Sequence, residues 1–340
     1  MSHLRSLAVA GFAIAFMIEP LSRAGAASNA TVADASYASS TPMREPQLFG
    51  EGVLSTQDDE FGGQFSPDGQ TFWYSKSVPR FHLDTIFVST FRSGHWRSPE
   101  IADFSGIWHD YDPTLSADGK RLFFISDRPR DDGKPHPNYD IWYLDRSAND
   151  WSAPKNAGAP LNGEWSSHFA ISTRNGNLYF TSDHPGSKGY LDVWMSRFVD
   201  GRYQEPSNLG DAINNANWAN FEVYVDPEES YMIVSAYGHE DGLGDCDLYV
   251  SYRHDGTWQP LQNLGPGVNS AARDYSARVS PDGKYLFFTS ERGVPTDART
   301  QPWTYREFIT AVRSIRNGLG NVYQIDLDAA LPKPALPAKP

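Results

Sequence analysis

The stretch whose reading decides the fold is YSARVSPDGKYLFFTSER, residues 275–292. Its first part alternates apolar residues at Tyr275, Ala277 and Val279. A Ser-Pro-Asp-Gly turn follows, and residues 285–289 are rich in strand formers. This is the pattern of a β-hairpin. Degenerate copies begin at Phe61 (FGGQFSPDGQTFWYS), Tyr111 (YDPTLSADGKRLFFISDR), Ser167 (SHFAISTRNGNLYFTSD) and Phe221 (FEVYVDPEESYMIVS). Anchored on Ser66, Ser116, Ser172, Asp226 and Ser280, they recur at spacings of 50, 56, 54 and 54 residues. A period of that size means stacked or circular repeats.

Each repeat holds two further strand-like pieces. A third strand is read in DTIFVSTF from Asp84, DIWYLDR from Asp140, DVWMSRF from Asp192, DLYVSYR from Asp247 and NVYQIDL from Asn321. A fourth is read in segments starting at Trp96, Trp151, Tyr203 and Trp258. Four antiparallel strands per repeat, punctuated by Gly and Pro and without helical period, describe propeller blades. The last repeat lacks a fourth strand, yet REPQLFGEGVLS (residues 44–55) matches QEPSNLGDAIN in its Glu-Pro and apolar-Gly pattern. The N-terminal segment is therefore expected to complete the last blade and close the ring, which pairs otherwise open edges. The fold class is all-β: one five-bladed propeller over residues 44–328.

The flanks read differently. Residues 1–26 carry Arg5, a short apolar core (residues 7–18) and Ala24-Gly25-Ala26, the pattern of a secretory signal. That core is too short for a comfortable membrane span, and no later stretch is apolar enough to be an integral segment. Residues 27–43 look like a flexible leader and residues 329–340 like a Pro-stiffened tail. Residues 304–318 in the last blade have helical spacing, with Phe308, Val312 and Ile315 at i, i+4 and i+7. They are read as a helix over the rim or, with Arg306, Arg313 and Arg316, as a lid or partner surface. The single Cys246 excludes an intramolecular disulfide, and a net charge of -13 disfavours nucleic acid as a partner. Together these readings predict a periplasmic or secreted monomer.

SPDGKYLFFTSER, SADGKRLFFISDRP with the following DIW, and the W-x-x-P-x-NLG pattern resemble the PD40 (WD40-like) β-propeller repeats. Such repeats occur in the TolB propeller and in many exported bacterial proteins. The motif stands intact at residues 66–69 and 280–283 and departs at STRNG (from Ser172) and DPEES (from Asp226). The resemblance implies a propeller and an exported setting rather than a reaction.

A strict period of two would turn one phase of each first strand to the central channel. That phase reads Glu60, Gly62, Gln64; Asp110, Asp112, Thr114; Ser166, His168, Ala170; Asn220, Glu222, Tyr224; Asp274, Ser276, Arg278. Converging carboxylates raise one another's pKa values and Arg278 lowers them, a division that suits general acid and base work or oxygen ligation of calcium. The structural alternative is that Glu60, Asp110 and Asp274 tie loops together through hydrogen bonds, as acidic residues at this repeat position commonly do. Asp112, His168, Glu222 and Arg278 break the repeat pattern and are the stronger functional candidates. Trp165 and Trp218, just before first strands, are candidates to stack on sugar rings. Asp84, Asp140, Asp192 and Asp247 read as turn caps.

Two functions follow. One is a binding or scaffold module taking a protein or glycan at the channel mouth, with Glu60, Tyr224, Asp274, Arg278, Trp165 and Trp218 as contacts. The other is a glycoside hydrolase or polysaccharide lyase, since five-bladed propellers with axial carboxylates also resemble the arabinanase-like glycosidases. There Glu222 would be the general acid and Asp112 or Asp110 the base or nucleophile, with His168 and Arg278 steering charge.

Overall fold

The Ser-Pro-Asp-Gly turn works through its serine and aspartate. In the first copy the Ser66 hydroxyl donates to Asp68 at 2.5 Å and accepts the Thr71 N–H at 2.9 Å. Gly69 takes a φ of 68°, which a residue without Cβ adopts freely. The same Ser–Asp bond recurs at Ser116 and Ser280, each 2.7 Å. Where the motif departs, the third and fourth copies complement each other. The fourth puts Glu229 at a φ of 56°. Its carboxylate accepts from Thr173, Asn175 and Asn177 of the third turn at 2.9, 3.1 and 2.9 Å.

The computed structural model describes residues 36–79, 81–130, 133, 134, 136–147, 150–293 and 301–333. These hairpins build five small antiparallel sheets in a ring, a five-bladed β-propeller. The innermost strands are Asp59–Phe65, Asp110–Leu115, Ser167–Ser172, Ala219–Val225 and Asp274–Val279, in blades 1 to 5. In blade 5 the order from the axis outward is Asp274–Val279, Tyr285–Ser290, Asn321–Asp326 and Gln47–Leu48. The closing strand therefore comes from the N-terminal side, paired as Gln47 with Gln324 and Leu48 with Tyr323.

The recurring N-x-G-x-x-x-N segment explains how the chain leaves each blade. The first asparagine caps its turn, with Gly158, Gly210 and Gly265 donating to Asn156, Asn208 and Asn263 at 2.8, 2.9 and 2.7 Å. The second bonds both backbone groups of a third-strand residue. Asn162 holds Ile141, Asn214 holds Val193 and Asn269 holds Leu248, all at 2.8–3.0 Å. Ser55 does the same for Val322 in blade 5.

Several boundaries differ from the sequence reading. The leader is ordered from Ser36 onward: Tyr37 and Met43 are buried, and the Tyr37 carbonyl accepts from Gln324 at 2.7 Å. The tail begins with a helical turn, Leu327–Ala330, that buries Ala330. The insertion helix is shorter than 304–318, running Tyr305–Val312 behind a Thr304–Glu307 capping box. It buries none of its residues fully, Ile309 and Ala311 being half-buried. Residues 1–26 and most of the leader lie outside the described residues. No described helix is long and apolar enough to cross a membrane.

Candidate functional site

Strict alternation fails in the inner strands. Each carries a register shift against its hairpin partner, between Phe61 and Gln64, Tyr111 and Thr114, His168 and Ile171, Asn220 and Glu222, and Tyr275 and Arg278. One extra residue is inserted there, as in a β-bulge. Gly62, Asp112, Phe169 and Ser276 take φ values of 52–65° at the bulge, three of them despite carrying side chains. The bulge swaps the faces, so a residue before it shares a side with one three positions later.

A second shift concerns blade 3. Its turn is one residue shorter, closing from the Thr173 N–H to Asn177, whereas Ser116 closes to Arg121. The structural anchors are thus Ser66, Ser116, Thr173, Asp226 and Ser280. Five positions before them stand Phe61, Tyr111, His168, Phe221 and Tyr275, one aromatic ring per blade. All five line one cavity of about 420 Å³ at the mouth where the inner strands begin. His168 thereby changes place, from a lone polar group to the blade-3 member of an aromatic ring. Its Nδ1 lies 2.9 Å from the Tyr111 hydroxyl, and its ring packs near Tyr139 and Phe221 at 5.6 and 6.2 Å. Part of the imidazole faces the cavity, yet burial pushes its pKa down to about 4 and keeps it neutral.

One position further along stand Gly62, Asp112, Phe169, Glu222 and Ser276. Asp112 and Glu222 line the cavity and are only 3% and 2% exposed. Two positions deeper Arg278, 1% exposed, lays its guanidinium 3.9 Å from the Phe169 ring centre. The three charges form one coupled group. Burial, with the Glu222 charge added, pushes the Asp112 carboxyl well above its usual range, against the pull of Arg278. Burial raises Glu222 as well, while Ser276, Arg278 and Ser235 hold it back. Glu222 accepts the Ser276 N–H, the Ser276 hydroxyl at 2.9 Å and the Ser235 hydroxyl at 3.2 Å. Arg278 is pushed down to about 10 by burial, against Asp112 and Glu222, and stays cationic at neutral pH. Asp112 Oδ1 and Arg278 Nε and Nη2 have no hydrogen-bond partner among the described residues.

Of the predicted site residues, the structure thus gathers Asp112, Glu222, Arg278 and His168. It removes others from the axis. Asp110 accepts from Arg128 at 2.6 Å, Asp274 from Arg292 at 2.7 Å and Ser270 at 2.7 Å, and Glu60 lies 3.1 Å from the Lys76 ammonium. These carboxylates tie hairpin ends and loops, because they precede the bulge on the face opposite the aromatic ring. Tyr224 lies at the opposite mouth of the channel, among Gln64, Ile171 and Tyr231. Trp165 packs on His184 at 4.4 Å and Trp218 stacks on His239 at 3.9 Å, both outside the cavity lining. Among the described residues no three His, Cys, Asp or Glu side chains gather in a way that could hold a metal ion.

The cavity also takes Asp84, Phe81, Tyr139, Tyr190 and Tyr237, which the sequence reading did not place there. Tyr139, Tyr190 and Phe81 sit in loops without repeat signal. Asp84 was hidden by its likeness to the turn-capping aspartates of the other blades.

No family model matches the chain, and no curated protein matches it. Among solved structures it is similar to the protein BT0996 in an RGII complex, at 7% identity and TM-score 0.51, covering 88% of this chain and 94% of that one. A protein of unknown function from Dyadobacter fermentans aligns at 13% identity and TM-score 0.44, over 73% and 78% of the two chains. A GH62 hydrolase in complex with xylotriose aligns at 12% identity and TM-score 0.44, over 84% and 95%. Of these, the first bears on the fold, and at 7% identity on the fold alone.

Proposed function

We propose that this chain is an exported, PD40-like propeller that binds a glycan, one sugar ring entering the aromatic cavity at the mouth of its channel. The observation that carries this reading is the ring of Phe61, Tyr111, His168, Phe221 and Tyr275, one side chain per blade, around a cavity with carboxyl oxygens at its floor. Ligand sites of this kind pair apolar walls with a few placed polar groups. Aromatic faces stack on the C–H faces of a sugar, and the Asp112 and Glu222 oxygens accept its hydroxyls. The cavity volume suits one or two rings, not a long chain lying flat.

Thermal unfolding with a panel of neutral, acidic and amino-sugar fragments, with and without calcium, tests the reading. A fragment present at about 100 times its Kd stabilises by about 2.7 kcal/mol, a rise of several degrees in Tm. Phe221→Ala should abolish the shift while the fold remains intact by circular dichroism. No shift with any fragment would overturn the glycan reading and turn attention to a protein ligand.

A second reading, hydrolysis, is favoured by one observation: Asp112, whose Oδ1 has no hydrogen-bond partner among the described residues, lines the cavity together with Glu222. There the protonated Asp112 would be the general acid and Glu222 the base or nucleophile, the reverse of the assignment made from sequence. Release of aryl alcohol from aryl glycosides, lost in Glu222→Gln, distinguishes this from binding alone.

A further inference from the structure

Four blades place an aspartate at the start of the third strand, and in two of them both of its oxygens are used. Asp140 accepts from Arg130 at 2.7 and 2.8 Å and from Asn156 at 2.7 Å. Asp192 accepts the Lys188 and Gly189 N–H groups at 2.7 and 3.1 Å and Asn208 at 2.7 Å. Asp247 accepts the Leu243 and Gly244 N–H groups at 2.7 and 3.2 Å, both on Oδ2; its Oδ1 has no partner among the described residues, but the residue lies outside the cavity lining. Asp84 differs from all three in lining the aromatic cavity. Its Oδ2 lies 3.1 Å from His109 Nδ1, and its Oδ1 has no partner among the described residues. The residue is 5% exposed and lines the aromatic cavity.

Asp112 repeats the situation in the same cavity lining, its Oδ1 without a partner among the described residues and 3% of the residue exposed. The two carboxylates repel one another. A carboxylate is an acceptor, and a buried acceptor without a donor is costly. The resident cations do not fill the gap. Arg273 is engaged with Tyr237 and Glu291. Arg278 does not line the cavity, lies against Phe169 and is one cation shared between Asp112 and Glu222. A neutral hydroxyl supplies a donor but no charge to draw Asp112, which burial holds toward its protonated form, into the carboxylate. An ammonium group supplies donors and charge together, and the faces of Phe61, Tyr111, Phe221 and Tyr275 favour a cation through their quadrupoles.

We propose that the sugar ring taken by this cavity carries a free ammonium group, whose N–H donors are shared between Asp84 and Asp112. This rests on the glycan reading of the cavity and narrows it to amino sugars that are not N-acylated. Acylation removes the charge and adds bulk inside a closed aromatic wall.

The test is calorimetric titration of the full protein with disaccharides of glucosamine and of galactosamine, each beside its N-acetylated counterpart. The amine form of at least one pair should bind at least about tenfold tighter, the scale of one charge-assisted hydrogen bond. Asp84→Asn and Asp112→Asn should each erase most of that preference. Asp84→Glu, which keeps the charge, should retain it and so guards against mistaking misfolding for loss of recognition. Equal or tighter binding of the acetylated sugars, or a preference that survives both Asn variants, overturns the proposal. Failure of every amino sugar to bind also overturns it. The broader glycan reading then stands or falls separately, on whether a neutral or acidic fragment raises Tm.

Discussion

Asp112 sits where a carboxylate is least stable: buried, at a φ of 52°, with one oxygen lacking a donor among the described residues and Glu222 nearby. Its raised folded pKa gives stability a sign opposite to that of an ordinary salt-bridged aspartate. Below the unfolded value of about 4 both states hold the proton, and the group costs nothing. As pH rises above that value the unfolded chain releases the proton while the folded one keeps it. Stability then falls by up to about 1.4 kcal/mol per pH unit until the folded pKa is reached. Asp112→Asn removes the titration and leaves Glu222 as the counter-charge of Arg278. Its urea midpoint should exceed that of the wild type at pH 7, with the gap closing toward pH 4. A variant less stable at pH 7 would show that the Asp112 charge is compensated in the native state. The same substitution is expected to weaken ligand recognition, so the residue keeps function at the expense of stability.

The elements repeat a small set of hydrogen-bonding devices, and their energetics are correspondingly local. Asn214 bonds both the N–H and the carbonyl of Val193 and is itself fully buried. Asn214→Ala leaves the Val193 N–H without that partner and should cost about 2 kcal/mol. Asn214→Ser should recover part of the loss, because Ser55 performs the same task in blade 5 at 3.1 and 3.2 Å. Equilibrium unfolding in urea reads both, and an unaffected Ala variant would refute the latch. Such devices are legible in sequence because turn chemistry demands particular residues: Ser-x-Asp-Gly and N-x-G-x-x-x-N announce themselves. The hairpins and the blade count followed from the turns, and the borrowed strand from the Glu-Pro and apolar-Gly pattern of residues 44–55. The candidate site was legible only in part. Asp112, Glu222 and Arg278 stood out because they break the repeat, but the bulge that decides which face they share has no residue signature beyond Gly62. The one-residue shorter turn at Thr173 then hid that His168 belongs with four aromatic rings. Asp84 shows the converse failure. It keeps the repeat residue, and nothing in its spacing tells that this copy lines the cavity.

At the scale of the whole molecule, closure and site are one problem. Blade 5 supplies Tyr275 to the aromatic ring, Ser276 to the Glu222 carboxylate and Arg278 to the axis. Its outermost strand, however, is Gln47–Leu48, whose chain also brings Tyr37, Met43 and Phe49 into a cluster with Phe65 and Phe287. Tyr37 packs near Phe65 at 4.9 Å and Phe49 near Phe287 at 5.0 Å. The segment therefore bridges blades 1 and 5, the two that sequence connectivity alone does not join. Deleting residues 36–48 removes two buried side chains and the edge pairing, a loss of about 5 kcal/mol on the scale of apolar burial alone. Because the loss falls at one seam, amide exchange should rise first in blades 1 and 5, before blade 3 is affected. Ligand affinity should fall with it, since the cavity spans that seam between Phe61 and Tyr275. A synthetic peptide of residues 36–49 added in trans should restore both exchange protection and binding. If the deletion lowers global stability but leaves blades 1 and 5 no more open than the rest, the ring is held by inter-blade packing and the strand is only an ornament of it.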